Sequence, residues 1–275
     1  MTLRYLSSIA FTSTAIILSA CDRGQKPTPI ETTPLATQVP SATELATVPL
    51  NAATVLTAMY GGGVGDSAVY DGSKQVESSN PDKHIVAKVL QNQRFQRHDS
   101  TLSLVVTKNS FEWGAGIHNG WVDAALFHFS DGKWQLLKTR RQAVIAGSFG
   151  TCDCQVQMQR LHVGNDEKIF AFVRSYNVHQ GESETFSVIT EDLLTSKEGF
   201  TTYDSQRNEC EEPSTGEVPK TGFFVTRQPG HDDQIELVSY EPQTTDGRCA
   251  WKDKHRSFTY TQLIQEMQKP QSAGL

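Results

Sequence analysis

Apolar positions along the chain recur at two spacings, and each predicts a different element. In "NAATVLTAMY", from Asn51 to Tyr60, the residues Val55, Leu56 and Met59 share one helical face. Asn51 is placed to cap that helix and Gly61 to Gly63 to stop it. Beyond this point the pattern shortens to brief apolar runs bounded by turn residues, which read as strands. They fall near Ile85–Leu90, Thr101–Thr107, Val122–Phe129, Trp134–Thr139, Cys154–Val163, Ile169–Tyr176, Thr185–Thr190, Gly222–Arg227, Gln234–Tyr240 and Ser257–Thr261. Tyr260 to Met267 predicts a short terminal helix before Pro270.

The turns tie these runs together. "FHFSDGKWQLL" places Asp131-Gly132 between two apolar runs. That pair is the strongest short hairpin signal, because a type I′ turn needs positive φ at both central residues. Gly164-Asn165-Asp166, the loop around Gly181, and Pro229-Gly230 mark three further hairpins. Hairpins in succession predict a mainly β fold, an antiparallel meander arranged as a sandwich, a barrel or propeller-like blades, with a short N-terminal helix. The sequence Asp-Gly-x-Trp ending at Trp134 is echoed by Asp246-Gly247 and Trp251, but two imperfect copies do not define a repeat.

The beginning of the chain speaks about location. "MTLRYLSSIAFTSTAIILSAC" has one cation, Arg4, then an uncharged and mostly apolar run from Ile9 to Leu18, then small residues before Cys21. This is the secretory signal pattern, and the apolar run is too short for a membrane-spanning helix, which needs about 20 residues. Leu18-Ser19-Ala20-Cys21 resembles the lipobox of bacterial lipoproteins. The resemblance implies removal of residues 1–20 and lipidation of Cys21 with a diacylglyceryl thioether and a further, palmitate-like acyl chain. It thus implies a protein held at a bacterial cell membrane, facing the periplasm or the exterior. Two or three acyl chains at ~0.8 kcal/mol per buried methylene anchor stably. In some Gram-negative bacteria an aspartate after the lipidated cysteine favours the inner membrane, and Asp22 occupies that position. Residues 21–49 are dense in Thr and Pro and read as an extended spacer that cannot form a core. Residues 50–275 then form the β-rich extracytoplasmic domain.

Composition narrows the partners. The chain carries a formal charge of −6. Without residues 1–20 and their single Arg4, 24 basic side chains face 31 acidic ones. Such a balance, with no basic block, argues against nucleic acid as a partner. Gly63-x-Gly65-x-x-Ala68 matches the dinucleotide fingerprint in letters only, since a helix precedes it and strand and turn chemistry follow. No cofactor is implied. The chain has no G-x-S-x-G and no H-E-x-x-H. No catalytic residue and no metal ligand set emerges. Glu209, Glu211, Glu212, Asp232 and Asp233 are acidic clusters of the kind that solvated loops carry. Asn165-Asp166-Glu167 and Asp232-Asp233 lack the spacing of a calcium cage.

Two groups of side chains remain. Trp113, His118 and Trp121, with Trp134, would line a cleft for a glycan or apolar ligand if exposed, and would fill the core if not. Cys152, Cys154, Cys210 and Cys249 are four cysteines in an oxidising compartment, which favours disulfides over a metal or redox site. Cys210–Cys249 flanks one predicted hairpin. A Cys152–Cys154 bridge requires Gly150-Thr151 to bend the backbone, because i and i+2 on an extended strand sit roughly 6.5–7 Å apart. The pattern as a whole points to an envelope protein with a binding or structural role, toward an envelope protein or a glycan. Rival readings are an envelope hydrolase acting on glycan or lipid, and an inhibitor or immunity-type lipoprotein that caps another protein.

Overall fold

In the computed structural model, the described residues are 48–74, 83–113, 118–178, 182–195, 200–204, 222–245 and 248–268. They form three antiparallel meanders and two helices. The first sheet runs in chain order through β1 (Ser67–Asp71), β2 (His84–Arg97), β3 (Ser100–Phe111), β4 (Gly120–Ser130) and β5 (Lys133–Ala146). The second holds β6 (Cys154–Val163), β7 (Asp166–Val178), β8 (Glu182–Thr190) and β9 (Phe200–Asp204). The third holds β10 (Gly222–Thr226), β11 (Gln234–Thr245) and β12 (Arg248–Phe258). The fold is thus mainly β and antiparallel, and it curls into a half-barrel without closing.

Helix α1 (Ala52–Tyr60) begins where the Asn51 side chain accepts the Thr54 N–H at 2.8 Å. It ends at Gly61, whose φ of 85° only glycine adopts cheaply, with its N–H on the Thr57 carbonyl. Val55, Leu56 and Met59 are buried, as their spacing predicts. Ser67–Asp71 follows the glycines as a strand, where a dinucleotide site needs a helix. Helix α2 (Tyr260–Gln268) starts with a reciprocal cap, Gln262 N–H on Thr259 Oγ1 and Thr259 N–H on Gln262 Oε1.

The layers follow from which faces are apolar. On β3 and β4, Leu102, Leu104, Val106, Val122, Ala124 and Leu126 pack against Ile169, Ala171 and Val173 of β7. The opposite face, with Val105, Ala125 and Phe127, is covered by Leu50, Val55 and Met59. The other face of β7 sends Phe170 and Phe172 toward Phe223, Ile235, Leu237 and the buried side of α2. The run "KIFAFVR" is near-continuously apolar because β7 is buried on both faces. Each large side chain fully buried here stabilises by roughly 1.5–3 kcal/mol relative to exposure.

Several strands outrun their predicted lengths. β2 reaches Arg97 and β5 reaches Ala146, because bulges let polar stretches stay paired. Leu90 is the extra residue between Val89 and Gln91 in β2. In β5, three residues (Arg141, Gln142 and Ala143) stand opposite Asp123 alone. β12 spans Arg248–Phe258, so only Ser257 and Phe258 of the strand expected at Ser257–Thr261 are strand; Thr259 caps α2, which takes Tyr260 and Thr261. β9 has no counterpart among the predicted strands. No helix among the described residues is long and apolar enough to cross a membrane.

Candidate functional site

The predicted aromatic group is split by depth. Trp121 is 1 % exposed and packs edge-on against Phe111, with ring centroids 5.9 Å apart, so it is a core side chain. The His118 ring centroid lies 5.7 Å from that of Phe111. Trp113, two residues beyond Phe111, is 78 % exposed. Trp134 belongs to the opposite end of the sheet, where it meets Phe129 at 5.2 Å and donates to the Val48 carbonyl at 3.2 Å. No single cleft gathers these four residues.

Beside Phe111 lies the connection from β5 to β6, closed by a Cys152–Cys154 disulfide with Cα atoms 5.5 Å apart. That spacing is shorter than an extended strand allows, because Cys152 and Asp153 precede β6 and are not strand residues; upstream of them the backbone curls at Gly147, Phe149 and Gly150, with φ of 78°, 53° and 78°. The curl is fastened to both flanking sheets. Gly150 O accepts the Phe111 N–H at 2.8 Å, and the Cys152 N–H donates to Ser110 Oγ at 3.0 Å. On the other side Gly147 N–H donates to Ser175 Oγ at 3.1 Å, and Asp153 O accepts the Tyr176 N–H at 3.1 Å. Phe149, a bulky residue in the left-handed region, is held 54 % exposed at the loop apex. Cys210 and the side chain of Cys249 lie outside the described residues, as do Cys21, Glu209, Glu211 and Glu212.

A buried polar cluster sits between α1 and the first sheet. Asp123 Oδ1 accepts the Gln142 N–H at 2.7 Å, and its Oδ2 accepts from Arg141 Nη1 at 2.8 Å and Tyr60 OH at 3.0 Å. Arg141 lies over the Tyr60 ring at 4.3 Å, and the Tyr60 and Tyr70 rings stack at 4.6 Å. Burial, reinforced by the Asp123 charge, holds both phenols far above the ordinary tyrosine range. Burial works against the Arg141 charge, but the Asp123 hydrogen bond and charge outweigh it and raise that pKa too. The cluster pins the β5 bulge and the C-terminus of α1. Its carboxylate is fully buried behind these partners.

An open polar cavity lies elsewhere, between the β6–β7 turn and the β10–β11 loop, and measures about 520 Å³. Asp233, with a side chain only 3 % exposed, is its organising group. Asp233 Oδ2 accepts the His162 backbone N–H at 2.8 Å and Arg227 Nη1 at 2.5 Å, with His162 Nδ1 at 3.2 Å. Arg227 Nη1 also touches His162 Nδ1. Asp233 Oδ1 accepts the Gln228 N–H at 3.4 Å. Burial disfavours the Asp233 charge, yet the His162 N–H groups and Arg227 outweigh it and hold the carboxyl below its ordinary range. Asp232 Oδ1 accepts the Gly164 N–H at 2.6 Å. The acidic pair therefore fastens the β10–β11 loop to the β6–β7 turn. Arg227, His162 and His231 line the cavity with them.

Linear sequence hides this arrangement, since His162 and Asp233 are 71 residues apart and meet only when the third sheet docks on the second. The legible signals were the turn glycines Gly164 and Gly230, which place both segments in hairpin loops at the same edge. Asn165 and Asp232-Asp233, weighed in the sequence as separate calcium candidates, line this one cavity. Among the described residues no group of three or more His, Cys, Asp or Glu side chains is arranged to hold a metal ion. Compared with known protein families, curated proteins and solved structures, the chain matches none of them.

Proposed function

We propose that this chain is a lipid-anchored protein of the bacterial cell envelope whose β domain is a binding module carried on a tether. The lipobox-like Leu18-Ser19-Ala20-Cys21 and the Thr/Pro-rich spacer support the anchor. The observation that carries the binding role is the polarity of the first sheet. The chain enters at Val48, whose carbonyl accepts from Arg94 and Trp134 at the end holding the β2–β3 and β4–β5 turns. Phe149 and Trp113 lie at the other end of β3, about 35 Å away by the rise of a 12-residue strand. The exposed aromatics thus lie at the end of the sheet opposite Val48, and they are the surface offered to an envelope protein or glycan.

An aromatic held in a left-handed conformation costs about 1–3 kcal/mol and persists where the surroundings enforce it, commonly at functional sites. Here the disulfide and the bonds to Ser110, Phe111 and Ser175 enforce it. The hydrolase reading needs an acid able to give up a proton to a leaving group. In the open cavity Asp233 is kept ionised by its donors and acts as an orienting group instead.

The anchor is tested by metabolic palmitate labelling with and without globomycin. Labelling that disappears in Cys21→Ala, with the variant released from membranes, is the expected result. A Cys21→Ala protein that stays membrane-bound would remove the lipoprotein reading. The binding role is tested by crosslinking intact cells through a photoreactive residue at position 113, where a specific adduct with envelope material is expected.

A further inference from the structure

We propose that the cavity between the β6–β7 turn and the β10–β11 loop binds an oxyanion, a phosphate or carboxylate group carried by the domain's ligand. This deepens the reading of the domain as a binding module and does not depend on the anchor. Three observations converge on it.

The first is the cavity itself. At about 520 Å³ it falls within the range that holds small ligands or one group of a larger one. The second is the direction in which the charges are spent. The oxygens of Asp233 accept N–H groups from His162, Arg227 and Gln228, and Asp232 Oδ1 accepts that of Gly164. Both carboxylates line the cavity, and each already accepts protein N–H groups. The third is what remains in front. Arg227 uses Nη1 on Asp233, and its Nη2 and Nε make no hydrogen bond among the described residues, on a side chain 53 % exposed. The His162 Nε2 and the His231 ring are likewise without a hydrogen bond among those residues, and His162 is 60 % exposed.

A guanidinium with a free edge presents two parallel N–H groups, the geometry that matches two oxygens of a phosphate or carboxylate. A ring nitrogen from each histidine adds a third and fourth contact. Asp233 matters because it is buried and holds both Arg227 and His162 in place before any ligand arrives. That preorganisation lowers the ordering cost of binding. The same carboxylate balances the Arg227 charge, so affinity comes from aimed hydrogen bonds and not from excess positive charge. A lone oxyanion is therefore expected to bind weakly, with Kd about 1 mM.

The test uses the full-length lipidated protein in detergent micelles, followed through the histidine ring signals in NMR spectra, with His162 and His231 assigned by substitution. Inorganic phosphate should shift both signals saturably, and sodium chloride at equal ionic strength should not. Arg227→Gln should weaken phosphate binding about tenfold, equivalent to ~1.4 kcal/mol. Because that change also frees Asp233, His231→Ala is the second variant; its side chain bonds nothing among the described residues. It should weaken binding about threefold with an unchanged urea midpoint. Titration with glucuronate and with glycerol phosphate then separates a carboxylate-bearing sugar from a phosphate-bearing headgroup, whichever binds more tightly than the free ion being the source. Absence of a saturable phosphate shift, or wild-type binding in both variants, overturns the proposal. Those outcomes leave the anchor and the Trp113 surface untouched, just as a failed palmitate labelling would leave the titration intact.

Discussion

Asp123 Oδ1 accepts the backbone N–H of Gln142 at 2.7 Å across a bulge in which Gln142 has a φ of 48°. One buried carboxylate thereby satisfies a backbone group that the sheet cannot pair, and it anchors Arg141 and Tyr60 as well. Asp123→Asn keeps the volume but turns one acceptor into a donor facing Arg141. A loss of about 3 kcal/mol is expected, at the low end for breaking a buried pair because Arg141 is partly hydrated. The urea midpoint measures it, and a change below about 1 kcal/mol would show that the bulge holds without its carboxylate.

The same cluster predicts an alkaline limit. Burial raises the phenol pKa values of Tyr60, Tyr70 and Tyr260, with nearby carboxylates adding to it. Between the ordinary value near ~10 and the raised one, the folded state binds more protons than the unfolded state. Stability therefore falls as pH rises above about 10. Absorbance titration of tyrosinate should show three slow phenols that ionise together with unfolding. Three phenols titrating freely near ~10 in folded protein would contradict it.

Asp233 sets the acid side with the opposite sign. Its carboxyl pKa is lowered in the folded state, so its contribution is present above about 4 and is lost as pH falls through the folded value. Asp233→Asn should flatten this part of the acid denaturation curve. An unchanged acid limb would mean that the loop is held by packing alone.

Gly147 is expected to matter more than the disulfide next to it. A Cβ there would fall 2.1 Å from Thr151 O and 2.4 Å from Asp153 N, in a residue with φ of 78°. Gly147→Ala should cost about 2–4 kcal/mol. The Cys152–Cys154 bridge closes a sequence separation of only 2, and in the chain-entropy model it contributes about 1.5 kcal/mol. The double Cys152→Ser/Cys154→Ser variant should stay folded, and denaturation of the two variants side by side gives the order. Peptide mapping without reduction should recover Cys152 and Cys154 within one peptide. A link from either to Cys210 or Cys249 would refute the pairing.

Phe149 separates stability from binding. Glycine adopts its φ of 53° without penalty, so Phe149→Gly should raise stability by about 0.5–1 kcal/mol. The same variant should lose crosslinking through position 113 if the loop apex is part of the binding surface. Thermal denaturation and the crosslinking yield must move in opposite directions for this reading to stand.

Much of the fold is written locally. Asn51 and Gly61 bound α1, and Asp131-Gly132 turns between β4 and β5 with φ of 51° and 74°, because caps and tight turns are decided by a few adjacent residues. The reciprocal cap of α2 was legible too, as Thr259-x-x-Gln262, although an expected strand overlapped it. The extent of β2 and β5 was not legible. Their polar stretches pair only because bulges at Leu90 and Gln142 re-aim the side chains, and the carboxylate that stabilises the second bulge comes from a neighbouring strand.

The candidate sites divide in the same way. Composition and residue spacing alone determine that the chain is β-rich and acidic, since these depend on residue type and nearby order. Tertiary structure decides that Trp121 is core while Trp113 is surface, though both flank one short connection. It also decides that Asp233 meets His162, and that the segment carrying the Cys152–Cys154 bridge is fastened to Ser110 and Ser175. Depth and convergence arise from how whole sheets stack. A short window of sequence carries the faces of a strand but not what those faces come to rest against.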